Sequence, residues 1–251
     1  MLVAAAVCPC PPLLVPEVAA GAAPELDGVR AACADALGVL AASRPDRLLV
    51  VGPAAEAPGH VLFPEGSPGT FRGFGVDLDV RLGRPDPAAA DLPALPPSLA
   101  VAAWLLQRVD RADAPVEALA VDQRLAPERC LGIGREIGAG EGRVALLVMG
   151  DGSACRTLKA PGYLDERAMP FDAEAARALR DADLAALRAL DVDLADELKV
   201  SGRAPWQVLA GAAESAVGAG GAGGAGGAGL SGTLLYDDAP YGVGYLVATW
   251  S

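Results

Sequence analysis

Histidine is almost absent from the sequence. The 251 residues contain one, His60, so a single chain cannot build a site that needs two imidazole groups. Lysine is also scarce, because only Lys159 and Lys199 occur and arginine supplies the rest of the positive charge. Together with abundant alanine and glycine, this bias indicates a GC-rich genome, so the alanine count alone says little about structure.

Positive charge is outnumbered by negative charge. The chain has 20 Lys and Arg residues against 32 Asp and Glu residues, which gives a formal net charge of −12. A surface this acidic repels phosphate groups, and no cluster of basic residues offsets the repulsion. We therefore expect neither nucleic acid nor an anionic membrane as a partner.

Long apolar segments are missing as well. No run of about 20 apolar residues occurs, which is the length that a membrane-spanning helix needs. The apolar start, MLVAAAVCPCPPLLV, carries no basic residue and is interrupted by prolines, unlike a signal peptide. The sequence therefore predicts a cytoplasmic protein.

Five cysteines are present, and none belongs to a Cys-x-x-Cys pair. The odd number and the wide spacing favour free thiols over a disulfide framework, and the missing motif argues against zinc-ribbon and thioredoxin-like sites. The closest pair, Cys8 and Cys10, lies in VCPCPPLLVPE at the end of an apolar run. Their side chains should point to the same side of a strand. They could bind a soft metal or act as small buried hydrophobic groups.

Continuous apolar runs alternate with helical patterns along the chain. LVAAAV (2–7), RLLVVGP (47–53) and RVALLVMG (143–150) predict strands that are buried on both faces and share one sheet. We therefore predict one domain over residues 1–251, with a three-layer α/β/α architecture and a mostly parallel or mixed central sheet. The Gly/Ala-rich segment at 218–229 is predicted to be a flexible loop.

Three local patterns predict helix starts or a binding loop. Ser98 and Asp172 are each predicted to be the N-cap of a helix. GIGREIGAG (132–140) resembles a dinucleotide-binding loop, but its third glycine is misplaced and no strand directly precedes it. We therefore assign it no phosphate-binding role.

Four stretches resemble segments of a known family. VCPCPPLLVPEV (7–18) resembles the opening motif of the LigB-like proteins, the class III extradiol ring-cleavage dioxygenase family, in which a strand ends in Pro-His-Pro-Pro and the histidine binds iron. Three further stretches resemble later segments of that family in the same order, so that the resemblance spans nearly the whole chain. They are GDGSACRTLKAPGYLDERAMPFD (150–172), RAPWQVLAGA (203–212) and LLYDDAPYGVGYLVA (234–248).

The resemblance implies a LigB-like fold and a site derived from a non-haem iron centre. In that family, two histidines and a carboxylate hold Fe(II), which binds a catechol and dioxygen, and a further histidine acts as acid and base. This chain departs from the pattern at each histidine. Cys10 stands at the first ligand position, Pro53 and Ala54 at the second, and Ala154 at the acid/base position. The resemblance therefore implies a divergent member with an eroded metal site.

Candidate site residues follow from these motifs. Asp151, Ser153 and Cys155 follow a buried strand and are predicted to lie at the cleft as catalytic candidates. The alternative for Asp151 is a helix or turn cap, and no histidine lies near Cys155 in the sequence to activate it as a nucleophile. The ligand-binding candidates are Cys10, Asp151, Tyr236 and Tyr241. The metal-ligand candidates are Cys8, Cys10, His60 and Glu197. His60 is predicted to lie in a loop, and the thiols of Cys8 and Cys10 are predicted to be partly exposed.

Three functions stay open. The first is a LigB-like pseudoenzyme without a cofactor, which binds a small phenolic ligand or a protein partner and does not cleave a ring. The second is a metal-dependent oxidoreductase or dioxygenase with altered chemistry, in which Cys10 and nearby carboxylates hold Fe(II) or zinc. The third is a structural or scaffold homodimer. Because the catalytic histidines are missing, the sequence does not decide whether the protein is an enzyme.

Overall fold

The computed structural model describes residues 1–55, 59–84, 92–109, 114–218 and 229–251. The strands in these ranges are β1 (Leu2–Cys8), β2 (Arg47–Ala54), β3 (His60–Phe63), β4 (Pro68–Thr70), β5 (Asp79–Arg81), β6 (Val116–Asp122), β7 (Val144–Met149), β8 (Gly232–Asp238) and β9 (Tyr245–Trp250). Most of the segment predicted to be a flexible loop, 219–228, lies outside the described residues.

The helices are α1 (Pro16–Ala19), α2 (Asp27–Ala42), α3 (Pro97–Leu106), α4 (Pro127–Ala139), α5 (Ala168–Asp181), α6 (Leu184–Arg188), α7 (Val192–Glu197) and α8 (Arg203–Gly218). A 3₁₀ segment, Ala20–Leu26, connects α1 to α2, and two shorter ones lie at Pro12–Leu14 and Arg72–Phe74. Within the described ranges, no helix combines the length and the apolar character needed to cross a bilayer.

Seven strands form one mixed sheet in the order β3-β6-β2-β7-β1-β9-β8. The strands β6, β2, β7 and β1 are parallel, whereas β3 at one edge and the pair β9 and β8 at the other are joined in antiparallel register. The three apolar runs predicted to share a sheet are the adjacent strands β2, β7 and β1. That prediction is confirmed.

Helices cover both faces of the sheet. Helices α2 and α3 pack on one face, and α5 and α8 pack on the other, where α4 lies against α8. Successive residues of β1 enter opposite cores, since Ala4 and Ala6 belong to the first and Ala5 and Val7 to the second. The predicted three-layer α/β/α architecture with a mixed central sheet is confirmed.

The glycines of GIGREIGAG bring two helices together. A Cβ on Gly134 of α4 would lie 2.1 Å from the Val208 carbonyl oxygen of α8. A Cβ on Gly211 of α8 would lie 2.3 Å from the Leu131 carbonyl oxygen of α4. Only glycine permits this backbone approach, so the motif serves helix packing.

Both predicted N-caps are wrong. Helix α3 begins at Pro97, so Ser98 lies inside its first turn, and the Ser98 hydroxyl donates to the Pro53 carbonyl oxygen at 2.6 Å. Helix α5 begins at Ala168, and Asp172 lies within it with its carboxylate buried. In both cases a tertiary hydrogen bond replaces the local capping bond that the sequence pattern predicts.

Candidate functional site

A cleft of about 800 Å³ lies at the edge of the sheet where the parallel strands β1, β2, β6 and β7 end. Open α/β sheets place their ligand sites at this edge. Its walls are mostly apolar and include Leu13, Pro53, Ala54, Val61, Phe63, Ala154 and Val243. The polar side chains that line it are those of Cys10, Ser98, Gln123, Asp151, Lys199, Ser201, Tyr241 and Tyr245.

Cys10 and Asp151 contact each other in the wall of the cleft. The Cys10 backbone N–H donates to Asp151 Oδ1 at 2.8 Å, and the Cys10 Sγ lies 3.9 Å from Asp151 Oδ2. Strands β1 and β7 are parallel neighbours with Cys8 opposite Met149, so the residues just beyond them meet. The structure thus brings together two residues that the sequence singled out.

Ser201 completes this cluster and was missed in the sequence. Its Oγ accepts a hydrogen bond from the Asp151 backbone N–H at 2.8 Å and lies 3.9 Å from the Cys10 Sγ. A Cβ on Gly150 would lie 2.3 Å from Gly202 Cα, so two glycines let these segments approach. Asp151 and Ser201 lie 50 residues apart in the sequence, and no local sequence pattern predicts their contact.

Burial controls the ionisation of the cluster. Removal from solvent raises the pKa of Asp151 to about 7, although hydrogen bonds from the Cys10 backbone and thiol oppose the change. Burial, and secondarily the Asp151 carboxylate, raise the pKa of the Cys10 thiol well above its usual value. At neutral pH the thiol is therefore protonated. Asp151 as a residue is half-buried and lines the cleft.

Two tyrosines of the closing segment line the cleft, and one of them was not predicted. The Tyr241 hydroxyl donates to Glu25 Oε2 at 3.0 Å. Tyr245 also lines the cleft, and burial raises the pKa of its hydroxyl. Tyr236, a predicted ligand-binding residue, instead lies against the start of α2, where a Cβ on Gly28 would be 3.8 Å from its ring. Strand alternation in the YGVGYLVA motif could have indicated Tyr245.

Ser153 faces the interior instead of the cleft. Asp172 Oδ1 accepts from the Ser153 backbone N–H at 2.7 Å, and Asp172 Oδ2 accepts from the Ser153 hydroxyl at 2.7 Å and from Arg156 at 2.9 Å. These bonds tie the loop after β7 to α5. Ser153 therefore has a structural role, while its neighbour Ala154 lines the cleft.

Cys8 and Cys155 are buried away from the cleft. The Cys155 thiol donates to the Leu198 carbonyl oxygen at 3.5 Å, and the Cys8 thiol lies beside that of Cys33, which raises its pKa. The prediction of partly exposed thiols is wrong, because Cys8 is 0 % exposed and Cys10 is 7 % exposed. Cys8 and Cys10 belong to the core on one face of the sheet and Cys155 to the core on the other, so these cysteines pack as small hydrophobic side chains.

The four predicted metal ligands do not come together. Cys8 lies in the core, and His60 is the first residue of β3, not part of a loop, with an exposed side chain on the opposite side of the strand from the cleft-lining Val61. Glu197 is exposed at the end of α7 and pairs with Arg167 at 2.6 Å. In the part of the chain that the structure describes, no three His, Cys, Asp or Glu side chains are placed to hold a metal ion.

Comparison with known proteins supports the fold alone. No family model matches the sequence, and no curated protein matches it significantly. The structure is similar to the crystal structure of an uncharacterized protein, JW3007, from Escherichia coli K12, with a TM-score of 0.57. The alignment covers 99% of this chain and 100% of that chain at 14% sequence identity.

Proposed function

We propose that this chain is a divergent LigB-like protein that binds a small phenolic molecule in the cleft and does not cleave its ring. The observation that carries the proposal is the cleft itself, which combines about 800 Å³ of volume and mostly apolar walls with the half-buried residue Asp151. Apolar walls with a few polar groups at fixed positions are typical of small-molecule sites.

The lining residues supply what a phenol needs. An aromatic ring can pack against Pro53, Phe63 and Val243, which removes apolar surface from water. Asp151 Oδ1 already accepts from the Cys10 backbone, whereas, among the residues that the structure describes, Oδ2 has only the long 3.9 Å contact with the Cys10 thiol. When ionised, Asp151 can therefore accept a hydrogen bond from the phenol hydroxyl through Oδ2.

The donor set at the cleft does not fit the iron site that the resemblance implies. Cys10, Pro53, Ala54 and Ala154, which stand at the histidine positions of the family motifs, all line the cleft. A protonated thiol and three apolar side chains cannot supply two neutral imidazoles and an acid/base group. The proposal therefore includes binding and excludes ring cleavage by the family's mechanism. The protein-partner, altered-metal and scaffold alternatives stay predictions.

Equilibrium binding of 4-methylphenol in buffer with a metal chelator tests the proposal. We expect saturable binding by the unmodified protein and a loss of about tenfold or more in affinity for Ala54→Phe, which fills the cleft. The control Ala31→Phe adds the same side chain at an exposed position of α2 and should leave the affinity unchanged. Absent binding, or equal affinity in all three proteins, would contradict the proposal.

A further inference from the structure

A second cavity lies between helices α2 and α3. Its volume is about 140 Å³, and it is lined by Arg30, Ala34, Leu37, Trp104, Leu105, Arg108 and Val109. None of these residues lines the cleft. Helix α3 begins beside the cleft, which Pro97 and Ser98 line, and it ends beside this second cavity, which we call the α2–α3 groove. The groove is therefore a separate place for a ligand.

The floor of the α2–α3 groove is apolar. Leu37, Trp104 and Leu105 line it and are buried. Past Leu37 and Val109 the floor continues into a smaller cavity, whose described lining residues are all apolar. A cavity of about 150 Å³ can hold a ring of six carbon atoms, so a hydrocarbon chain of similar size fits the groove. Its binding there would remove apolar surface from water.

Both charged side chains at the α2–α3 groove are positive. They belong to Arg30 and Arg108, and no Asp or Glu is among the described residues that line the groove. The Arg30 guanidinium group donates to the Leu14 carbonyl oxygen at 3.3 Å and to Asp27 Oδ1 at 2.5 Å. Arg30 is thus held in place, and its charge is shared with a carboxylate outside the groove.

Arg108 carries the charge that is left for a ligand. Its guanidinium carbon lies 3.8 Å from the centroid of the Trp104 ring, and one of its N–H groups donates to the Trp104 carbonyl oxygen at 3.3 Å. Burial lowers the pKa of Arg108 and Glu17 opposes this change, but no ion pair among the described residues includes Arg108. A guanidinium group has several N–H donors and stays charged at neutral pH, so donors remain for an anion.

Trp104 adds a buried donor beside Arg108. Trp104 is 2 % exposed, and its Nε1–H has no acceptor among the residues that the structure describes. A buried N–H without an acceptor costs free energy, because it has lost its hydrogen bonds to water. An oxygen atom of a ligand in the groove would supply the acceptor.

We propose that the α2–α3 groove binds a short aliphatic carboxylate, whose chain lies on the apolar floor while its anionic group pairs with Arg108 and accepts a hydrogen bond from Trp104 Nε1. Guanidinium and carboxylate groups have matching planar geometry. Arg108 is exposed, so its side chain can shift as the carboxylate reaches the indole. This site goes beyond the proposed function and does not depend on it, because the groove and the cleft share no described lining residue.

Titration with pentanoate at pH 7, followed by the indole N–H resonances of the three tryptophans, tests the proposal. We expect pentanoate to shift the Trp104 resonance downfield with a dissociation constant on the order of 1 mM. The neutral analogue pentanamide should bind about fivefold more weakly. Acetate should bind about tenfold or more weakly, because it lacks the chain that covers the floor. Trp206 also has a buried Nε1–H without an acceptor in the described residues but does not line the groove, so its resonance should not move.

Two pairs of matched variants locate the site. Ala34→Leu fills the groove and should weaken pentanoate binding by about tenfold or more. Ala31→Leu, at an exposed position of the same helix outside the groove, should leave it unchanged. Arg108→Met should abolish the preference for pentanoate over pentanamide, whereas Arg129→Met, at an exposed position of α4, should keep it.

The proposal is overturned if the Trp104 resonance shows no saturable shift up to about 50 mM pentanoate, or if pentanamide binds as tightly as pentanoate. It is also overturned if Ala34→Leu or Arg108→Met binds both probes as the unmodified protein does. Each of these results leaves the binding of 4-methylphenol in the cleft as it was. Conversely, failure of 4-methylphenol to bind, with pentanoate still shifting the Trp104 resonance, would refute the proposed function and support the groove site.

Discussion

The backbone N–H of Cys10 donates to Asp151 Oδ1 at 2.8 Å, and this bond joins two motifs that lie 141 residues apart in the sequence. It fixes the carboxyl group beside the end of a neighbouring parallel strand. Since Oδ1 is satisfied by the backbone, the group has a defined orientation before any ligand binds. Such preorganised polar groups lower the entropic cost of binding.

Replacing Asp151 with Asn should change how stability depends on pH. Burial raises the pKa of Asp151 to about 7 from 3.8, so the folded protein holds this proton more tightly than the unfolded chain does. The contribution of this proton to the free energy of unfolding is fully present below about pH 4 and is lost as the pH rises through about 7. Asparagine keeps an acceptor for the Cys10 N–H but does not titrate. Urea unfolding should show that, between pH 5 and pH 8, the free energy of unfolding of the unmodified protein falls by about 2 kcal/mol more than that of Asp151→Asn. If the difference between the two proteins does not change with pH, burial does not perturb this carboxyl group.

Two glycines of α4 should respond oppositely to the same substitution. Gly134→Ala places a Cβ 2.1 Å from the Val208 carbonyl oxygen and should lower the free energy of unfolding by about 2 kcal/mol, as overpacking does. Gly132→Ala meets nothing within 4 Å and should raise it by up to about 1 kcal/mol, because alanine favours helix. Urea unfolding of the two variants checks this. Equal effects would mean that α4 and α8 are not closely packed.

Removal of the Asp172 carboxylate should destabilise the fold. Asp172→Ala leaves Arg156 and two buried hydrogen-bond donors of Ser153 without their acceptor, which should lower the free energy of unfolding by about 3 kcal/mol. The exposed Asp237 provides the comparison, since Asp237→Ala should change stability by less than about 0.5 kcal/mol. A similarly small effect of both substitutions would refute the structural role assigned to Ser153.

Loading with Fe(II) should not confer ring cleavage. Oxygen consumption and ring-opened product from catechol should stay at background in the unmodified protein after anaerobic addition of Fe(II). Cys10→His restores one imidazole, but Ala154 still supplies no acid/base group, so this variant should also be inactive. Turnover of about 1 per second or faster in the unmodified protein would show that other residues replace the missing histidines.

The core of the fold could be predicted because its sequence signal is local. The strands β1, β2 and β7 are continuous apolar runs, and a sheet covered on both faces is the structure that buries them. The contact between Cys10 and Asp151 followed from the same reasoning, since neighbouring parallel strands end at one edge. By contrast, Ser98 and Asp172 make tertiary hydrogen bonds that a capping pattern cannot foresee.

Much of the cleft depends on long-range contacts and could not be predicted. Ser201 reaches Asp151 because Gly150 and Gly202 permit close approach of two distant segments. Lys199 occupies a helix-terminal turn for which lysine has no preference. Tyr236 and Ser153 lie close in sequence to cleft residues but face other parts of the protein. Side chains alternate between the two faces of a sheet along a strand, so their direction can be predicted from the sequence. No such period fixes the direction of side chains in a loop.

The most direct test of the account is a set of intermolecular nuclear Overhauser effects in the complex with 4-methylphenol. Methyl groups of Val61, Ala154 and Val243 line the cleft from three different segments and can be selectively labelled. The account predicts contacts from the ring protons of the bound phenol to all three methyl groups. Contacts confined to methyl groups outside the cleft, or none at a saturating phenol concentration, would contradict it.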